Sequence, residues 1–441
     1  MNFQNEILLN IKIENLSYEG LGTYRNEDNF PYFIENALPG EIVDIQIKKK
    51  NSRFAFCKVI KYHKFSPQRN FNANDKLMQS GSASIAMLNY DDQLKFKQDY
   101  VKFLFKRNIH FDDIKNILEN PSPWEYRNKL TVFVNFIDNK IVLGLYEKNT
   151  HNIIEQDNYD LALKPIQLIF EWISKNINNY PLIKKQVKFI ESITVRHSNF
   201  SNQSLVIINS SNLVDIPHEF INDLINSNTS VVNIIQNMKN NTKISSEKYL
   251  NNSTFIIDQI GEFQYKINWN SFFQVNNYQV NNLYNLLLNN LNLKPNSIVI
   301  DAYSGIGSIS LKLAKASKFV YGLEIIKEAV DNAVENAKLN IIDNVKFICG
   351  DVNKTIKNIN KNVDVIVVDP PRSGISDVFM KSIIEIAPKT IGYISCDVKT
   401  MCRDIAILMQ EGYQLNFLQP CDMFSQTHHI ECVGILNKVA S

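Results

Sequence analysis

The 441-residue sequence contains six cysteines, Cys57, Cys349, Cys396, Cys402, Cys421 and Cys432, and no two of them form a C-x-x-C pair. No His/Cys cluster has the spacing of metal ligands, so no metal is expected, and a reduced, cytoplasmic protein is the simplest account. Neither a leader nor a membrane span is expected. The first residues, MNFQNEILLN, lack the basic and apolar regions of a signal peptide, and no stretch approaches the ~18 apolar residues of a spanning helix. Strong charge of either sign is absent: 47 Lys and Arg face 45 Asp and Glu, a formal net charge of +2. That balance neither demands nor excludes a nucleic-acid partner, so the placement of charge matters more than its sum.

A chain of this length is too long for one core and points to two or three domains. Residues 1–65 read as a small β domain, with apolar alternation over Ile7–Ile13, a turn at Gly20 and Gly22, and strands at Tyr32–Ile34, Ile42–Ile47 and Phe54–Tyr62. Short strands so closely spaced suggest an oligonucleotide-binding barrel. Its basic residues fall late, as Lys48, Lys49, Lys50, Arg53, Lys58, Lys61 and Lys64, interleaved with Phe54, Phe56 and Tyr62. Cations alternating with aromatics suit phosphates and stacked bases, and a solvated lysine-rich hairpin suits the same pattern. A boundary is expected near Ser66. Residues 66–270 then read as a mixed α+β domain, with a helix over Asp91–Arg107, strands at Lys129–Phe136, Ile141–Tyr146, Ile193–His197, Leu205–Asn209, Val231–Gln236 and Phe263–Ile267, and helices over Leu161–Lys175 and His218–Ser227.

Residues 271–441 are the most regular part. A helix over Val275–Leu291 precedes strand-like runs at Ser297–Asp301, Phe319–Leu323, Val345–Ile348, Val363–Val368, Ile391–Ser395, Tyr413–Leu418 and Glu431–Leu436, most of them separated by helical segments. This is the alternation of an α/β doubly wound sheet, and the missing helix between the last two runs allows a final antiparallel strand. IVIDAYSGIGSISLKLA supplies a buried strand, an acidic residue and a turn containing Gly305 and Gly307 ahead of a helix. Such a turn lets a ligand approach the backbone closely. Glu324 closes the next strand, where a carboxylate can accept from ribose hydroxyls. Asp301 and Glu324 together point to an adenosyl ligand, without separating a dinucleotide from S-adenosylmethionine.

The stretch IGYISCDVKTMCRD delivers Cys396 to a strand end at the working edge of that sheet. By itself, an unpaired cysteine there is more often a small core residue. The turn at Tyr303–Gly307 and the following Asp369-Pro370-Pro371-Arg372 look like motifs of class I methyltransferases. The ordered set SFFQVN (Ser271–Asn276), DAYSGIG, GLE, DPPR, YISCD and DMFSQTHHIE resembles the RNA uracil-5-methyltransferases, a family with bacterial 23S rRNA and tRNA members. The resemblance covers essentially the whole chain, since the barrel is similar to the TRAM-type RNA-binding domain of many members and Tyr126-Arg127-Asn128-Lys129 matches a central motif.

The resemblance implies S-adenosylmethionine as cofactor, with contacts at Gln274, Tyr303, Gly305, Glu324 and Asp369, Cys396 as nucleophile and Glu431 as base. It also implies an RNA partner, with Arg127 and Lys129 as candidate phosphate contacts; a monomer is expected. The chemistry needs these residue types: a thiolate added at carbon 6 of uracil makes carbon 5 nucleophilic, and a carboxylate must later remove the proton on carbon 5. The target base has to leave its stack to be reached. Many members hold an iron–sulfur cluster on cysteines between barrel and middle domain; the equivalent region here has none, and Ser80-Gly81-Ser82-Ala83 stands where a Cys-Gly-Gly-Cys core would be, so no cluster is expected. Ser304, Val398 and Ser425 also depart from the common pattern without removing a reacting group. The expected substrate is 23S rRNA, on the ground of the barrel. A tRNA T-loop uridine, an amino-group methyltransferase using DPPR, and a catalytically silent RNA-binding protein are the alternatives.

Overall fold

A computed structural model describes residues 6–156, 158–239, 245–249, 255–359 and 362–439. The chain divides into two compact units, the first made of residues 1–100, 146–154 and 424–429 and the second of the remainder.

The first unit is built on β1 (Ile7–Lys12), β2 (Asn15–Leu16), β3 (Gly22–Arg25), β4 (Pro31–Glu35), β5 (Ile42–Lys50) and β6 (Ala55–Lys64), hydrogen-bonded in the order β1-β5-β6-β4-β3-β2. Alternation along these strands sends Ile13, Ile34, Val43, Ile45, Ile47, Ala55 and Cys57 into one core. Gly20 keeps the expected turn at φ +80°, whereas Gly22 opens β3, where a Cβ would lie 2.8 Å from that of Ala37. Lys48, Lys49, Arg53, Lys61 and Lys64 are exposed. Arg69 grips Glu41 through two bonds of 2.6 and 2.8 Å and lies over the Tyr62 ring, closing the unit after β6. The short helix α1 (Asp75–Gln79), capped by Asn74, interrupts a stretch with little pattern, and α2 (Tyr90–Ile109) follows the helical period expected there.

Next in the chain, β7 (Lys129–Ile137), β8 (Lys140–Tyr146), β9 (Ile153–Glu155), β10 (Ile190–Ser198), β11 (Gln203–Ser210), β12 (Val231–Lys239) and β13 (Ser245–Tyr249) form a seven-stranded sheet, with α3 (Lys164–Asn176), α4 (Pro181–Gln186) and α5 (His218–Ser227) between strands. A hairpin, β14 (Phe255–Ile260) and β15 (Phe263–Asn268), follows. Sequence patterning located β15 and missed β14. Its inward positions are Ile256, Asp258 and Ile260, and a buried carboxylate in the middle breaks the apolar alternation.

The last part begins with α6 (Asn277–Asn290) and then alternates: β16 (Ile298–Ala302), α7 (Ser308–Ala316), β17 (Phe319–Glu324), α8 (Lys327–Leu339), β18 (Val345–Cys349), α9 (Val352–Thr355), β19 (Val365–Val368), α10 (Asp377–Ile386), β20 (Thr390–Ser395), α11 (Val398–Gln410), β21 (Tyr413–Cys421) and β22 (Glu431–Lys438). The order is β18-β17-β16-β19-β20-β22-β21, parallel up to β20, with β22 antiparallel to both neighbours. Every residue of β19 and of β20 is buried, as expected of strands covered on both faces. The doubly wound sheet and its antiparallel end are therefore as the sequence reading has them.

Candidate active site

Strand register gathers the candidate residues at one edge. Ala302 is level with Leu323 on one side and Val368 on the other, and Val368 is level with Tyr393. Tyr303, Glu324 and Asp369 consequently leave the sheet at the carboxyl ends of adjacent parallel strands. Ser395 on β20 pairs with Cys432 on the antiparallel β22. One step further brings Cys396 opposite Glu431, so nucleophile candidate and base candidate are cross-strand neighbours at this same edge.

The turn after β16 is built for close approach. Tyr303, Gly305 and Gly307 all have positive φ, at 65°, 54° and 85°. A Cβ on Gly307 would meet the Phe347 ring at 2.8 Å, so this glycine is required by packing, whereas one on Gly305 would meet nothing within 4 Å among the described residues. The Gly305 N–H donates to Glu324 Oε2 (3.0 Å) and the Ile326 N–H to Oε1 (2.8 Å), which fixes the Glu324 carboxylate beside the open turn. Asp301 is fully buried and accepts from the Ser310 hydroxyl; among the described residues its Oδ1 has no partner. Burial pushes both Asp301 and Asp369 up to about 7. Such a concentration of poorly compensated carboxyls, beside a glycine with empty space where a side chain would stand, fits a ligand that carries ribose hydroxyls and positive charge.

Cys396 is half-buried. Burial, then the nearby Glu431 and Asp369, push its thiol up to about 11, while Arg372 pulls it down. Glu431 is 5% exposed, and its Oε2 has no partner among the described residues. Burial and Asp369 hold its carboxyl well above the ordinary range, with Arg372 again opposing. The turn around the thiol is pinned on both sides. Ser395 Oγ accepts from the Asp397 N–H at 3.1 Å, and the Asp397 carboxylate caps α11 by accepting from Lys399 and Thr400. Cys402, one and a half turns along α11, is 2% exposed and packs in the core.

Gln274 lies in the irregular segment Ser271–Asn276 between β15 and α6, and is itself buried. The segment is held from the seven-stranded sheet: Arg196 donates to the Ser271 carbonyl (2.6 Å), and Asn128 donates to the carbonyls of Gln274 and Val275 (2.9 Å each). Arg127 and Lys129 flank Asn128 and are half-buried. Lys129, level with the fully buried Arg196 on β10, has its ammonium drawn down to about 8 by burial and by that neighbour. The edge cluster thus contains Tyr303, Gly305, Glu324, Asp369, Cys396 and Glu431, while Arg127 and Lys129 flank the Asn128 that bonds the segment carrying Gln274.

A family model described as tRNA (Uracil-5-)-methyltransferase matches residues 89–439. The chain is 36% identical over 453 aligned residues to an "uncharacterized RNA methyltransferase" of Lactobacillus johnsonii, covering 99% of each. The chain belongs to the tRNA (uracil-5-)-methyltransferase family. It is an enzyme, an S-adenosylmethionine-dependent RNA (uracil-C5)-methyltransferase. A Streptococcus agalactiae protein, also described as an "uncharacterized RNA methyltransferase", is 34% identical and covers 99% of this chain and 100% of its own. A TRAM domain model matches residues 8–60. Among solved structures, the Pyrococcus abyssi tRNA (uracil-54, C5)-methyltransferase in complex with S-adenosyl-L-homocysteine superposes with a TM-score of 0.77 at 23% identity, covering 97% of this chain and all of its own. That likeness establishes the fold, a class I methyltransferase sheet with an N-terminal β domain.

Two parts of this methyltransferase escaped sequence reasoning. One is Asn128, read only as part of a motif. The other is the clamp on the loop that follows Asp369. Buried Asp404 accepts from the Ile375 N–H (2.8 Å), the Tyr393 hydroxyl (2.7 Å) and Arg403 Nε (2.8 Å), while Arg403 Nη2 donates to the Ser373 carbonyl (3.0 Å). Gly374, at φ +79°, leaves room for it, since a Cβ would stand 2.5 Å from Asp404. The clamp immobilises the loop carrying Arg372, the cation that opposes the raised pKa of both Cys396 and Glu431. The signal was the Arg-Asp pair ending IGYISCDVKTMCRD, a buried carboxylate on a helix face otherwise apolar.

Proposed function

We propose that the protein methylates carbon 5 of one or more uridines in 23S rRNA through a covalent adduct between Cys396 and carbon 6. The observation that carries this reading is the cross-strand placement of a thiol and a buried carboxyl at the ends of β20 and β22. Deprotonated Cys396 would form a C–S bond at carbon 6, moving the 5,6 π pair onto carbon 5 and the carbonyl oxygen at position 4. Arg372 is suited to favour that negative charge. When bound, S-adenosylmethionine supplies an electrophilic sulfonium methyl group. Gln274, Tyr303, Gly305, Glu324 and Asp369 would hold the cofactor, Glu324 taking the ribose hydroxyls beside Gly305. Once carbon 5 carries a methyl group and a hydrogen, the Glu431 carboxylate takes the proton. The electron pair then re-forms the 5,6 double bond and expels the Cys396 thiolate. A carboxylate with a raised pKa is a stronger base than an ordinary one, which suits this step.

The division into a barrel at 1–65, a middle domain at 66–270 and a catalytic domain at 271–441 belongs to this proposal, the first two parts serving to hold RNA around an extruded uridine. Arg127 and Lys129 are the phosphate contacts in the middle part. A phosphate beside Lys129 would stabilise the charge that burial disfavours. No iron–sulfur cluster enters, since residues 58–348 contain no cysteine. The protein is read as a cytoplasmic monomer.

The Pyrococcus abyssi enzyme of the same fold acts on uracil-54 of tRNA, and a tRNA uridine is the second reading. Incubating the purified chain with methyl-labelled S-adenosylmethionine and either 23S rRNA or tRNA transcripts, followed by nucleoside analysis, tests both. Label in 5-methyluridine from 23S rRNA supports the proposal. Label only in tRNA moves the substrate to the second reading, and label in an amino group would refute the covalent chemistry.

A further inference from the structure

Asn128 is 1% exposed and lies between the two proposed phosphate contacts. Its amide group donates both of its hydrogens, to the Gln274 carbonyl at 2.9 Å and to Asn277 Oδ1 at 2.7 Å. Its backbone N–H reaches the Val275 carbonyl at 2.9 Å, and its own carbonyl accepts from the His197 N–H on β10 at 2.8 Å. By contrast, its Oδ1 is buried without a partner among the described residues. A side chain kept in place with its acceptor unpaired is there for its donors. Around it, Arg196 Nη2 binds the Ser271 carbonyl, Ser271 Oγ donates to Asn332, and Asn277 Nδ2 donates to the buried Asp258. The segment carrying Gln274 is thus bonded at Ser271, Gln274, Val275 and Asn277 to the start of β7, to β10 and to β14.

We propose that Asn128 is a positioning residue that makes the cofactor-side segment Ser271–Asn277 and the RNA-side strand β7 one mechanical element, so that RNA and S-adenosylmethionine bind cooperatively. The inference rests on the reading of Arg127 and Lys129 as RNA contacts and of Gln274 as a cofactor contact. RNA that orders β7 at Lys129 orders the Gln274 carbonyl through a single side chain, and linkage requires the cofactor to strengthen RNA binding by the same factor. A residue with only a structural role would alter folding stability without altering that coupling.

The test uses the full chain and its Asn128→Asp variant, which has nearly the same shape with both N–H donors replaced by acceptors. S-adenosyl-L-homocysteine binding is measured by calorimetry with and without polyuridylate, alongside thermal unfolding and the KM and kcat for S-adenosylmethionine. Expected are a rise of about tenfold in the Kd for S-adenosyl-L-homocysteine, the worth of two neutral hydrogen bonds, and loss of the tightening by polyuridylate that the wild-type chain shows. KM rises while kcat at saturation stays within about twofold. Should N128D fail to fold, Asn277→Ala removes one of the two Asn128 bonds from the other side, together with the Asn277 bond to Asp258, and should give a rise in Kd of about three- to tenfold. An unchanged Kd in a folded variant, equal tightening in both chains, or no tightening in the wild type would overturn the proposal. If the wild type methylates no uridine in any RNA but N128D still loses affinity and coupling, the functional reading fails while the positioning role stands.

Discussion

Replacing Glu431 with glutamine isolates the last chemical step from the first. The side chain is 5% exposed with one oxygen lacking a partner among the described residues, so an amide of the same size can occupy the space without a new cavity. Formation of the adduct should survive, because Glu431 is one of the groups that push the Cys396 thiol up to about 11 and its neutralisation relieves that effect. Removal of the carbon 5 proton should not survive, and loss of a positioned general base slows turnover by about 10²–10⁴-fold. The chain and RNA should therefore accumulate as a covalent complex with the methyl group already transferred. Denaturing gel electrophoresis with labelled RNA reads this directly: a shifted band that nuclease removes, abundant in Glu431→Gln and absent in Glu431→Gln combined with Cys396→Ala. Turnover within about tenfold of wild type would refute the assignment of the base. So would a shifted band that persists without Cys396.

Three further outcomes follow from the same geometry. Cys396→Ser should abolish turnover, while Cys402→Ser, a change in a 2% exposed helix residue, should leave kcat nearly unchanged and cost about 1 kcal/mol in unfolding free energy; loss of activity in both would place the chemistry elsewhere. In a Cys349→Ser background, chosen because Cys349 is exposed, alkylation of Cys396 by iodoacetamide should rise with pH toward a midpoint of about 11. Because burial and two carboxyls raise this pKa, the thiol form dominates at neutral pH. Arg372→Gln should move the midpoint higher still, and bound S-adenosylmethionine lower. A midpoint at or below the ordinary 9.0, unmoved in Arg372→Gln, would contradict this. Gly307→Ala should destabilise the fold by about 1–3 kcal/mol, since φ is +85° and the Cβ would stand 2.8 Å from Phe347, which a denaturant titration checks.

Much of the catalytic layer was legible because its strands are short apolar runs closed by Gly, Pro or acidic residues, and its helices keep a clear period. The acidic strand ends were legible as local spacing: Glu324 ends β17 wherever β17 lies. What the sequence could not express is lateral order. Cys396 and Glu431 meet because β22 turns back and inserts between β20 and β21, and nothing in a linear reading fixes that insertion. Asn128 and Asp404 were hidden for another reason. Their partners are backbone carbonyls and N–H groups, which every residue possesses, so the bonds from Asn128 to Gln274 and from Asp404 to Ile375 leave no compositional trace. Asp258 hid β14 by placing a carboxylate on a face that patterning expects to be apolar.

The central claim, that this chain methylates carbon 5 of uridine in 23S rRNA through Cys396, is tested most directly by mass mapping of 5-methyluridine in the rRNA and tRNA of cells lacking the gene. Each strain carries the wild-type gene, the Cys396→Ala variant or neither. At least one 5-methyluridine should disappear from 23S rRNA on deletion, return with the wild-type gene and fail to return with Cys396→Ala. Survival of every such methyl group in the deletion strain, or its restoration by Cys396→Ala, would contradict the claim.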